Sequence, residues 1–120
     1  MDEDRLTRLR DELRAFVEER EWRQFHDPKN LAMLVASEAG ELAGVLRWVR
    51  NDEADAAVQA EPLRTKLAHE IGDVALGLVL LCDRVGLDLV DVARAKLAKN
   101  RANYPADQVR GTAERPPREG

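Results

Sequence analysis

Cysteine occurs once in this chain of 120 residues, at Cys82, so no disulfide framework can form within it. Beside the apolar run Leu78–Leu81, that lone thiol reads as a buried side chain in a reducing compartment and not as a nucleophile. Long hydrophobic runs are missing as well. The longest, Val74 to Cys82, falls far short of the roughly 20 residues that cross a bilayer. The N-terminus, MDEDRLTRLR, is charged from its second residue, unlike a signal peptide. A cytoplasmic protein without membrane association is the expectation. Positive charge is not in excess either: 19 basic and 23 acidic residues give a net charge of −4, spread along the chain without a basic stripe. That pattern argues against a nucleic-acid polymer as partner and leaves room for a small phosphorylated molecule. Aromatic residues make up only 4%, so stacking surfaces are confined to two tryptophans, one tyrosine and two phenylalanines.

No segment alternates with the period of a strand, whereas helical spacing recurs throughout. Leu6, Leu9, Leu13, Phe16 and Val17 mark a first amphipathic helix over about Glu3–Glu19. Asp27-Pro28 reads as an N-cap followed by proline at the first helical position, which opens a second helix running to about Arg50. The polar stretch 51–61 is a loop or a short helical turn. Pro62 then opens a third helix that Gly86 stops near Val85, and Asp88 caps a fourth carrying Leu89, Val92, Ala93 and Leu97. These define an all-α fold, a single four-helix domain over 1–105. Residues 106–120, rich in proline, glycine and charge, are expected to form a disordered tail. The third helix is apolar nearly all round from Ile71 to Val85, more than one short bundle can bury, which predicts a homodimer or homotetramer.

Two pairs of carboxylates interrupt this apolar pattern. Glu38 and Glu41 lie one turn apart on the second helix, and Glu38 fills the slot seven residues after Leu31 in the stripe Leu31, Leu34, Val35, Leu42, Val45, Leu46 and Val49. Glu70 and Asp73 border the inward face of the third helix in the same manner. A single such pair is commonly a solvated face. Two pairs on adjacent helices would repel and take up protons unless a cation compensated them. Oxygen-only ligands suit Mg²⁺, with Mn²⁺ as a substitute. A di-iron carboxylate site would need Glu-x-x-His on two helices, but His26 and His69 follow Arg23 and Lys66 at that spacing.

The strings FHDPKN, EAGELAGVLRW, EIGDVALGLVLL and GLDLVDVARAKLAKNRANYP together resemble the MazG-like all-α nucleoside triphosphate pyrophosphohydrolases, nearest the dCTP pyrophosphatase branch, over roughly Trp22–Pro105. The resemblance implies a MazG-like bundle in which Glu38, Glu41, Glu70 and Asp73 bind Mg²⁺. It implies that Trp22, Phe25, His26 and Trp48 contact the nucleotide, and that Lys96, Asn100, Arg101 and Tyr104 contact phosphate and sugar. Pattern alone would equally make Trp22 and Trp48 apolar staples of the second helix, and His26 a loop residue bonded to backbone. One departure is Gly77, where relatives of that branch often carry tyrosine. The implied reaction is metal-dependent hydrolysis of a nucleoside triphosphate, such as dCTP or a modified pyrimidine nucleotide, to monophosphate and pyrophosphate, for clean-up of the nucleotide pool. Glu38 or Glu41 would accept the proton of the attacking water. Two alternatives stand beside it: a phosphoribosyl-ATP pyrophosphohydrolase, and a non-catalytic oligomeric module that senses nucleotides.

Overall fold

The computed structural model describes residues 2–113, and the secondary structure among them is entirely helical. Four helices exceed a dozen residues: α1 (Asp2–Glu19), α2 (Pro28–Leu46), α4 (Leu63–Val85) and α5 (Leu89–Asn103). Two are single turns, α3 (Ala54–Ala57) and α6 (Ala106–Val109). The described residues fall into two compact units, one up to Gly86 and one from Leu87 on.

In the first unit α4 packs along α2 and touches α1. Leu13 and Val17 of α1, Leu31 of α2 and Val79 of α4 form its buried core, and Leu31 is the most enclosed, at 1% exposure. Burying such a side chain contributes roughly 2 kcal/mol. Local chemistry sets the helix ends. Asp27 Oδ1 accepts the backbone N–H of Asn30 at 2.8 Å, with Pro28 following the cap as the sequence predicts. The Asn30 side chain donates to the Phe25 carbonyl at 3.0 Å and ties the preceding 3-10 turn, Arg23–Phe25, to the start of α2. Gly86 adopts φ +74° and closes α4 through bonds to the carbonyls of Cys82 and Asp83, a conformation that glycine accepts without a Cβ clash.

Helix α2 stops at Leu46, short of the expected Arg50. Trp48 is 86% exposed, with the Arg47 guanidinium 5.3 Å from its ring centre, and Arg50 turns extended with its guanidinium on Asp52 at 3.2 Å. Residues 51–57 then form two short helical turns, one of the two forms expected there.

In the second unit Asp88 Oδ1 accepts the Asp91 N–H at 2.9 Å and caps α5, which runs through Asn103. Within the stretch expected to form a disordered tail, Ala106–Val109 make up α6, and residues 114–120 lie outside the described part.

Candidate metal centre

The packing of α4 on α2 brings the two carboxylate pairs together. Glu38, Glu41, Glu70 and Asp73 each present an oxygen such that all four atoms lie within 4.8 Å of one another. The pairs are built alike. On each helix the residue set in the apolar stripe, Glu38 or Glu70, is half-buried, and its neighbour one turn on, Glu41 or Asp73, is exposed.

The inner pair is electrostatically strained. Glu38 Oε2 and Glu70 Oε2 are buried and accept no hydrogen bond from any described residue. Burial raises the Glu38 carboxyl above its ordinary range; a hydrogen bond shared with Glu41 adds to this, since two carboxylates can share one only when one holds a proton. The charges of Glu41, Asp73 and Glu70 act in the same direction. Glu70 is raised by burial first and by the charges of Glu41 and Asp73 next, with a smaller opposing effect from His69. Orphaned buried oxygens cost a fold free energy, and an ion is one of the few things that satisfies them. Four convergent carboxylates with two unpartnered oxygens fit a hard divalent cation.

The aromatic candidates surround the ends of α1 and α2. Trp22 sits edge-on against Phe16, centroids 5.7 Å apart and planes at 78°, and the Arg20 guanidinium lies 3.7 Å from the Phe16 ring centre. Phe25 and Trp48 are more open, at 59% and 86% exposure. His26 lines a cavity of about 380 Å³ with Arg14, Arg23, Leu31, Asp83 and Arg84, and none of the four carboxylates is among the lining residues. Lys96, Asn100, Arg101 and Tyr104 all belong to the second unit. Lys96 and Asn100 lie one turn apart on α5, whereas Tyr104 has left helical geometry at φ −126° and donates its N–H to the Asn100 carbonyl at 2.8 Å.

Sequence reasoning missed the bond between Arg14 and Asp83, which locks α1 to α4 beside that cavity. It also missed the turn after α1. There Glu21, at φ +54°, occupies the left-handed position while Trp22 N–H bonds to the Val17 carbonyl at 3.1 Å. A glycine at that position would have given the signal, and none is present.

Comparison with known proteins agrees with this architecture. No family model matches the chain. Among curated relatives, dCTP pyrophosphatase 1 of Bos taurus is 36% identical over 98 residues, and that of Mus musculus 37% over the same length. The match takes in 82% of this chain and 58% of each relative, so the chain spans little more than half their length. A pyrophosphatase from Archaeoglobus fulgidus, solved by crystallography, superposes with a TM-score of 0.78 at 32% identity, covering 84% of this chain and 93% of that one. With a helical fold, a sequence and a solved relative all in agreement, the chain belongs to the MazG-like all-α nucleoside triphosphate pyrophosphohydrolases, with dCTP pyrophosphatases among its relatives.

Proposed function

We propose that this protein hydrolyses a nucleoside triphosphate to the monophosphate and pyrophosphate, with Mg²⁺ as its cofactor and a deoxynucleotide such as dCTP or a modified pyrimidine nucleotide as substrate. The observation that carries this reading is the meeting of Glu38, Glu41, Glu70 and Asp73 within 4.8 Å, with a buried, unpartnered oxygen on each inner glutamate. Those four residues would hold the cation. When bound, Mg²⁺ supplies neutralisation of phosphate charge and lowers the pKa of a coordinated water.

The chain's own side chains perform the rest. Water attacks the α-phosphorus, a new P–O bond forms, and the bond to the β-phosphate oxygen breaks to release pyrophosphate. Glu38 or Glu41 accepts the proton that the water loses. The open faces of Trp48 and Phe25, with the braced ring of Trp22, offer stacking surfaces for a base, and stacking gives affinity with modest selectivity. Family resemblance assigns His26 to the nucleotide, and Lys96, Asn100, Arg101 and Tyr104 to phosphate and sugar. An assembly of two or four copies accounts for the apolar side chains that a single copy leaves in water, among them Ile71 on α4, 52% exposed.

The test is pyrophosphate release across a panel of canonical and modified ribo- and deoxyribonucleoside triphosphates, with Mg²⁺ and with chelator. Monophosphate and pyrophosphate formed only with metal, and fastest from a deoxycytidine nucleotide, is the expected result. Inertness toward the whole panel would overturn the reading, and phosphoribosyl-ATP would be the next substrate to try.

A further inference from the structure

Glycines are spread along both helices of the carboxylate cluster, and one of them differs from the rest. A Cβ built on Gly40, Gly44 or Gly72 would meet nothing within 4 Å. At Gly77 it would come 3.2 Å from Cγ2 of Val35, with the Val35 Cα at 3.9 Å. Gly77 is buried, so this is a point where α4 and α2 approach with no side chain between them on the α4 side. Its register matters. Gly77 lies one turn beyond Asp73 and two beyond Glu70, and Val35 lies one turn before Glu38. The close approach therefore sits in the layer next to the carboxylates, on the same facing stripes.

We infer that Gly77 is a positioning residue for the cluster in this chain: with Val35 opposite and no side chain at 77, where relatives of the dCTP branch often carry tyrosine, α4 settles against α2 here, and that packing sets the spacing of Glu70 and Asp73 to Glu38 and Glu41. The inference rests on the cluster being the cation site. Valine in a helix is held in essentially one χ1 rotamer, so Val35 has little freedom to swing its methyl aside. An added methyl at 77 is thus accommodated by parting the helices by a few tenths of an ångström. Cation ligation tolerates little of that, since changes behind the ligands cost about 10- to 100-fold in affinity.

The experiment is Mn²⁺ titration of the full chain, with free Mn²⁺ read by its electron paramagnetic resonance signal and folding followed by circular dichroism. It uses wild type, Gly77→Ala, Val35→Ala, the double variant Val35→Ala/Gly77→Ala, and Gly72→Ala. Alanine is a better helix former than glycine, so a propensity effect alone would leave both single glycine variants folded and bound as wild type. We expect about tenfold weaker Mn²⁺ binding in Gly77→Ala, undiminished binding in Gly72→Ala, and recovery in the double variant, where the blocking methyl is gone. Wild-type affinity in Gly77→Ala, or an equal loss with and without Val35, overturns the role of Gly77 while leaving the cation site intact. No Mn²⁺ binding by wild type overturns the site itself and the inference with it.

Discussion

Arg14 of α1 and Asp83 of α4, 69 residues apart in sequence, are joined by a forked ion pair: Arg14 Nε donates to both carboxylate oxygens at 2.9 and 3.0 Å, and Nη2 donates to one of them. The hydrogen bond from Arg14 holds the Asp83 carboxyl below its ordinary value of 3.8, against partial burial and with help from the Arg14 charge. A lowered carboxylate pKa contributes stability that is present above the ordinary value and lost as pH falls through the folded one. Asp83→Asn should therefore lower the melting temperature at pH 7 and flatten the decline between pH 3.8 and the lower folded value. Thermal melts across that range decide it; an unchanged acid limb in the variant would count against the pair.

The inner glutamates make the opposite prediction. Glu38 and Glu70 are raised above their ordinary 4.5, so the folded chain binds their protons more tightly than the unfolded chain does. Their contribution is full below 4.5 and lost as pH rises through the folded values. In chelator the melting temperature should fall on that rise, and Mg²⁺ or Mn²⁺ at neutral pH should restore it in proportion to the logarithm of its concentration. Glu38→Gln/Glu70→Gln should melt higher than wild type in chelator and ignore added metal. A metal-free protein equally stable on both sides of the window would refute the account.

Glu41 and Asp73 are exposed, so neither carries much of the fold. Replacing either by alanine should cut kcat/KM for pyrophosphate release at least about 100-fold with helicity retained. Activity within a few fold of wild type would remove these two carboxylates from the site.

Trp48 offers a sharp separation of roles. With 86% of its surface exposed, the ring contributes little packing within one copy. Trp48→Ala should raise KM and leave the melting temperature within a degree or two. The reverse outcome, a large stability loss with unchanged KM, would make it a structural staple.

Much of this was legible from residue spacing. The carboxylates could be paired because their meeting follows from two local facts, one turn of helix within each pair and apolar stripes that turn both pairs inward. Asp27-Pro28, Gly86 and Asp88 marked helix ends because each uses a residue type specialised for that geometry. Glu21 shows the limit. A non-glycine residue in left-handed conformation leaves no trace in composition, and neither does a partner 69 residues distant such as Asp83. The end of α2 falls short of Arg50 although Val49 continues the apolar period: Val49 is half-buried from a turn, its N–H bonded to the Leu46 carbonyl at 3.0 Å, so an apolar period can persist past the last helical residue.

That same Glu21 is a place where the fold can be improved. The left-handed conformation costs a side-chain-bearing residue about 1 kcal/mol, which glycine would avoid. Glu21→Gly should stabilise the protein by about that amount in chemical denaturation, after subtracting the extra freedom glycine gives the unfolded chain. A destabilised variant would show that the Glu21 side chain contributes more than its conformation costs.

The two orphaned oxygens of Glu38 and Glu70 set the fold and its chemistry at odds. A population of variants screened only for heat resistance in chelator would discard these glutamates early, because neutral or apolar replacements relieve buried charge. Their presence is the mark expected of residues kept for the proposed cation site and not for durability. Any programme to harden this protein should therefore hold positions 38 and 70 fixed and seek its gains elsewhere.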